Sequence, residues 1–201
     1  GLCAYEKNNA QMNANRGMAS GAKIAFFDIG INNKEQDLAI PDDLAAGVYS
    51  TAYTAGARIH SNSWGGGYLY DAFTLATDKY LYGKEDFLAI FAAGNSGSTG
   101  AYTVNSPALS KNALAVACSN TGHSTTSNID HISSFSSHGP ALDGRIKPDI
   151  TAPGNYLSSA SARAEGSTGS SCQITSKSGT SMATPVVAGT AGLIVQYFQD
   201  A

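Results

Sequence analysis

The sequence predicts an α/β fold built on a mainly parallel sheet with helices on its faces. Three observations carry that reading. Apolar runs of strand length alternate with stretches of helical periodicity through the first half of the chain. Small-residue turns bearing Trp64 and Asn95 directly follow two of the strand runs, where open α/β sheets place their reactive groups. A long, almost wholly apolar helix closes the chain.

Taken in order, residues 1–16 are polar and Asn-rich and read as loop. Lys23 to Ile29 is short, apolar and rich in β-branched and aromatic residues, so it is expected to form a buried strand. Pro41-Asp42-Asp43 opens a helix reaching about Ala55, with Leu44, Val48 and Ala52 at four-residue spacing. Arg58 to Ser63 reads as a strand. Tyr70 to Tyr82 reads as a helix through Ala72, Leu75, Ala76 and Tyr80, and Phe87 to Ala93 as the next strand. Residues 99–178 are turn-rich with shorter apolar runs, including Ala113 to Ala117. The closing helix, Ser181 to Phe198, is apolar on nearly every side and is expected to lie buried at the domain centre. Pro185 falls near its first turn, where a missing N–H costs little.

Composition bounds what the chain does. Its 201 residues, 42% hydrophobic and 13% charged, suit one domain over 1–201 with a sizeable core rather than a disordered chain. A net charge of -3 and the lack of any Lys/Arg run argue against nucleic-acid binding. Gly189, Gly192 and flanking polar residues interrupt the longest apolar stretch, so no membrane span is expected. No signal peptide is visible, and the chain does not begin with methionine. Cys3, Cys118 and Cys172 are an odd count. Cys118 and Cys172 read equally as an oxidised pair or as two reduced thiols, and their spacing matches no usual zinc pattern.

Gly179-Thr180-Ser181-Met182-Ala183-Thr184-Pro185 sets Ser181 between small residues at the mouth of that helix. Unpaired N–H groups and the positive end of the dipole favour developing negative charge there, as attack on a carbonyl by a hydroxyl requires. The same pattern also suits a plain helix cap at Thr180 or Ser181. Four further segments accompany it in order: Ile59-His60-Ser61-Asn62-Ser63-Trp64-Gly65-Gly66, Phe91-Ala92-Ala93-Gly94-Asn95-Ser96-Gly97, Ser134-Phe135-Ser136-Ser137-His138-Gly139-Pro140, and Lys147-Pro148-Asp149-Ile150-Thr151-Ala152-Pro153-Gly154. Together with Gly17 to Ile24 they resemble the subtilisin-like serine proteases (subtilases, peptidase family S8) from about residue 17 onward.

The resemblance implies a three-layer α/β/α fold and a serine endopeptidase acting on peptide or protein substrates. It implies that Ser181 is the nucleophile and that Asn95 donates to the oxyanion with the Ser181 N–H; by itself, Gly-Asn-Ser-Gly also reads as a turn. Ser63, Trp64 and Gly65, with Ala92, Ala93 and Gly94, match the strand edges flanking the family's specificity pocket. Ser106-Pro107 matches a cis proline, against an ordinary trans bond by base rate. No cofactor is implied for the chemistry; a structural calcium is compatible with the family but has no assignable ligands, so no metal residue is named. A secreted protein is implied.

The family's acid turn and its His-Gly-Thr-His motif are both missing from this sequence. Asp28, in Phe27-Asp28-Ile29-Gly30, falls too late in the motif order to be the acid and reads as a strand-end residue. His138 belongs to the Ser-x-x-Gly-Pro loop, and His60, His123 and His131 lie in no base motif. Gly1-Leu2-Cys3-Ala4 is similar to the segment directly after the family's histidine helix. The expectation is an N-terminally truncated catalytic domain whose Asp and His come from an upstream segment. The fragment alone is then expected to be inactive and to need that segment for a stable monomer. The alternative is a non-catalytic relative that binds peptides. An esterase with a Gly-x-Ser-x-Gly elbow is disfavoured, because Ala183 stands at the fifth position and no histidine comes after Ser181.

Overall fold

The computed structural model describes residues 15–31, 34–122, 128–161 and 173–200. Its centre is a four-stranded parallel sheet. The strands are β3 (Ile59–Asn62), β4 (Leu88–Ala92), β5 (Leu114–Ser119) and β6 (Ile150–Pro153), hydrogen-bonded in that spatial order. Registers pair Ile59 with Leu88, Ile90 with Leu114 and Val116 with Ile150. Two antiparallel pairs flank it in sequence: β1 (Gly30–Ile31) with β2 (Lys34–Leu38), and β7 (Leu157–Ala160) with β8 (Ile174–Lys177).

Alternation along the strands builds two apolar layers. Ala89, Phe91, Ala93 and Ala115 face one side. There they meet Leu44, Val48 and Tyr49 of the helical stretch after Pro41, and Leu81 of α2 (Ala72–Tyr82). Ile90, Val116 and Cys118 face the other side, against Ala183 and Val187 of α3 (Thr180–Asp200). The result is α/β/α, as the sequence implied. Full burial of side chains such as Phe91, Ile90 and Val116 contributes roughly 1.5–3 kcal/mol each.

Local chemistry fixes the helix starts. Asp71 caps α2, accepting from Thr74 N at 2.9 Å, and also takes the Ser106 hydroxyl. Asp78 in the same helix is buried and accepts from Lys111 N and Asn112 N at 3.1 and 2.8 Å, which pins the loop leading into β5. The stretch after Pro41 is helical as expected, but it opens as a π-helical turn, Ala45–Tyr49, before the short helix α1 (Ser50–Thr54). Ala46 N donates to Asp43 Oδ1 at 3.0 Å at its entry.

Three expectations are corrected. Lys23 to Ile29 forms no strand: a strand exists through a ladder, this segment has none, and Ile24 and Phe26 are exposed. Asp28 is therefore no strand-end residue; its Oδ1 accepts from Gly30 N at 2.8 Å in a local turn. The closing helix is buried only in its first half. Contact with the sheet cluster runs on through Ala188 and Ala191 and then stops, and Leu193, Ile194, Tyr197 and Phe198 are exposed. That helix is also long and apolar enough, by length and composition, to cross a membrane, since Gly and Thr lower its mean hydropathy only to 1.2. Its packing on β3–β6 is that of a sheet-covering helix.

Candidate active site

The carboxyl ends of β3, β4 and β6 converge on the mouth of α3. Gly154 follows β6, where the helix mouth approaches closely. A Cβ there would stand 2.7 Å from Gly179 O, 2.8 Å from Ala183 N and 2.9 Å from Cys118 Sγ. Gly154 O in turn accepts from Gly179 N at 3.0 Å. Gly179, at φ +155, turns the chain into the helix, and its carbonyl accepts Met182 N at 3.0 Å. Ser181 thereby enters the first turn of α3, where N–H groups lack intrahelical acceptors.

Ser181 is half-buried and faces the tip of β3. Its Oγ donates to Ser63 O at 3.3 Å, and Ser63 Oγ donates to Ser181 O at 2.8 Å. Asn95, exposed at the tip of β4, is held from the other side. Its Oδ1 accepts from Thr180 N at 2.9 Å and from Thr180 Oγ1 at 3.1 Å. A backbone N–H can only donate, so the carboxamide orientation is fixed and Nδ2 is turned away from Thr180. Thr180 is wholly buried, and its Oγ1 also accepts from Gly94 N at 3.1 Å. One hydroxyl thus joins strand tip, carboxamide and helix mouth. The sequence reading gave Thr180 only a capping role; the signal was its place between Gly179 and Ser181, beside an apolar helix that leaves buried polar groups few partners.

The two proposed pocket edges differ. Ala92 and Ala93 are buried, Ala93 O accepts from Asn105 N, Gly94 O accepts from Ser137 N, and Gly94 N is taken by Thr180. Trp64 turns its indole inward, edge-on to Phe91 at 5.6 Å, with Nε1 donating to Asn62 Oδ1 at 3.2 Å. The backbones of Trp64 and Gly65 carry no hydrogen bond among the described residues, which leaves the β3 side the edge an extended peptide could join. Ser106-Pro107 is cis.

No described histidine is hydrogen-bonded to Ser181. His60 lies in the opposite layer among Tyr49 and Phe87, where burial pulls its pKa below 6.5 against a weaker opposing hydrogen bond to Asn62. His138 sits beside Gly97, and His131 is exposed. His123 lies outside the described residues, as do Cys3 and Cys172. Cys118 carries a buried free thiol, its pKa raised by burial. Among the described residues no three of His, Cys, Asp and Glu gather to hold a metal ion. A groove of about 480 Å³ between Asp43, Ala45 and α2 contains no residue of this site.

These features define an α/β protein whose helix-mouth serine and strand-tip carboxamide meet at the carboxyl ends of a parallel sheet. The chain belongs to the subtilase family, whose family model matches residues 1–201. It is 29% identical to the serine protease/ABC transporter B family protein tagD of Dictyostelium discoideum, over 98% of this chain and 15% of that protein. It is 41% identical to the serine protease AprX of Bacillus subtilis (strain 168), over 54% of this chain and 26% of that protein. The solved structure of sphericase superposes with a TM-score of 0.55 at 30% identity, over 76% of this chain and 48% of that one. The chain thus spans less than half the length of each of these three, and the fold is subtilisin-like.

Proposed function

We propose that the protein is a serine endopeptidase in which Ser181 is the nucleophile and Asn95 an oxyanion donor. The observation that supports this reading is that Thr180, next to Ser181, holds Asn95 through Oδ1, while Asn95 Nδ2 makes no hydrogen bond among the described residues. Ser181 Oγ attacks the peptide carbonyl and gives up its proton to an imidazole. The oxyanion accepts hydrogen bonds from Asn95 Nδ2 and the Ser181 N–H. Collapse expels the amine, which takes the proton from the imidazolium, and water then hydrolyses the acyl-enzyme by the same route. No described histidine is hydrogen-bonded to Ser181 and the family's His-Gly-Thr-His motif is missing from the sequence, which supports an imidazole and orienting aspartate supplied by an upstream segment of the same protein. Residues 1–201 alone then hydrolyse peptides at a trace rate and need that segment as their partner.

The substrate is a peptide or protein, and the product leaves without a cofactor taking part; calcium has only a structural role to fill. The family and the low charge support a secreted protein. The test is reaction of the full-length protein with a fluorophosphonate, and then peptide mapping. Covalent labelling of Ser181, lost together with peptide hydrolysis in Ser181→Ala, supports the reading. An unlabelled Ser181 overturns it in favour of a peptide-binding relative.

A further inference from the structure

We infer that Asp71 is a positioning residue: through Ser106 it holds the edge after β3 in place and so sets how well an extended substrate chain is bound, without touching substrate. This rests on the protease reading above, in which a peptide joins the free backbone of Trp64 and Gly65. Directly beyond that edge the chain is paired to one residue. Gly66 N donates to Ser106 O at 2.9 Å, and Ser106 N donates to Gly67 O at 3.1 Å. Ser106 O also lies against Gly65, where a Cβ would stand 2.7 Å from it. The place of Ser106 therefore decides the place of the edge.

Asp71 fixes Ser106. Ser106 is buried, and its Oγ donates to Asp71 Oδ1. Its one proton is then engaged, so the Thr74 hydroxyl, 2.9 Å away, donates to Ser106 Oγ in turn. The same Asp71 oxygen caps α2 by accepting from Thr74 N at 2.9 Å. A cap needs only that one bond, and serine would serve for it. The carboxylate is set apart by its second, charge-assisted bond to a hydroxyl 35 positions further along the chain. Ser106 thus clips both ends of the loop 66–71, Gly66 and Gly67 by its backbone and Asp71 by its side chain. Between those ends Tyr68, Leu69 and Tyr70 are exposed, so burial does little to hold the stretch. Tyr68 and Tyr70 reach Ser96 and Asp78 through hydroxyls at the far ends of long side chains, which leaves the backbone to the Ser106 clip. Without the clip, a peptide has to order the edge as it binds, and the cost grows with the length of substrate lying along it. Ser181 and Asn95 are held separately, by Ser63 and Thr180.

The experiment uses the full-length protein and two esters with the same final residue and leaving group. One is an acetylated tetrapeptide that can lie along the edge; the other is an acetylated single residue that cannot. Two variants break the clip: Ser106→Ala, and Asp71→Ser, which still caps Thr74 N but is too short to reach Ser106. Each should lower kcat/KM for the tetrapeptide ester by about tenfold, while the single-residue ester and fluorophosphonate labelling of Ser181 stay within about twofold. The double variant should be no worse than either single one, because both remove the same bond. Asp71→Asn keeps Oδ1 as an acceptor and should recover most of the tetrapeptide rate. Equal losses on the two esters, as a purely structural cap would give, overturn the positioning role, and so does an unchanged tetrapeptide rate in both single variants. Absence of labelling in the unmutated protein overturns the protease reading beneath it.

Discussion

Ser63 and Ser181 exchange hydrogen bonds across the gap between β3 and α3: Ser63 Oγ donates to Ser181 O at 2.8 Å, and Ser181 Oγ donates to Ser63 O at 3.3 Å. The shorter bond fixes the helix mouth to the strand tip. The longer one aims the hydroxyl while it is at rest. Ser63→Ala removes only the first. The site is open to water, so the loss is modest, about 0.5–1.5 kcal/mol for one net hydrogen bond. The expected outcome is a small drop in thermal midpoint and slower fluorophosphonate labelling of Ser181 in the full-length protein. Unchanged labelling would show that Ser63 does not position the nucleophile.

Thr180 and Asn95 are expected to separate structure from chemistry. Thr180→Val keeps the volume but strips the hydroxyl, leaving Gly94 N–H buried without its acceptor and the Asn95 carboxamide less held. The cost is about 1–3 kcal/mol in urea denaturation. Turnover should fall as well, and Thr180→Ser should recover most of both. Asn95→Leu takes the acceptor from Thr180 N and Thr180 Oγ1 and should also cost about 1–3 kcal/mol, while kcat should fall by about 10²–10³, a loss established for the corresponding kind of donor in a subtilisin. A kcat for Asn95→Leu no lower than that of Thr180→Val would mean that Asn95 is a turn residue and nothing more.

The sheet and the serine were legible in the sequence for physical reasons that fail elsewhere. Phe87 to Ala93 read correctly because a strand covered on both faces keeps an unbroken apolar run, whereas Arg58 to Ser63, apolar only at Ile59, is held as a strand by its ladder to β4. The position of Ser181 at a helix mouth was legible because small residues run into a long apolar helix there. Lys23 to Ile29 has the same composition as a strand, but composition does not reveal whether a neighbour offers a ladder. The closing helix misled in the same way: apolarity on all sides says what a helix could bury, and the extent of the sheet beneath Ala183 and Val187 decides what it does bury. The Thr180 hydroxyl was illegible, since its partner Gly94 lies 86 positions away.

His60 gives the chain an acid-sensitive core. Its folded pKa is lowered chiefly by burial among Tyr49 and Phe87, and its Nδ1 has no hydrogen-bond partner among the described residues. The unfolded chain therefore binds the proton more readily in the interval just below 6.5. Stability from neutral His60 is complete above that value and is lost as pH falls toward the lower folded pKa. Thermal midpoints of the full-length protein should fall between about pH 7.5 and 5, and His60→Phe should flatten that fall. An unaltered slope in the variant would place the acid sensitivity elsewhere.

Lys147 and Asp149 form the ion pair whose two halves should respond most unequally to mutation. Lys147 is buried, and its Nζ donates to Asp149 Oδ2 at 2.6 Å and to Ala113 O at 3.0 Å. Asp149 is partly open to water, and the same oxygen accepts from Ala115 N at 2.7 Å at the start of β5. Burial pulls the Lys147 pKa below 10.5, and Asp149 partly restores it. Asp149→Ala removes the counter-charge and strands an ammonium in the interior, at about 3–5 kcal/mol. Lys147→Met leaves a carboxylate that water still reaches, so it should cost far less. The sign of the pH dependence separates the causes. In Asp149→Ala the folded pKa of Lys147 drops further, the unfolded chain then holds more protons over the interval up to 10.5, and stability rises with pH across it. Urea midpoints of the full-length variants at about pH 7 and 9.5 should show Asp149→Ala recovering part of its loss at the higher pH and Lys147→Met showing no such gain. Equal losses in both variants, or no recovery, would mean that the Ala115 N–H bond rather than the buried charge is what Asp149 secures.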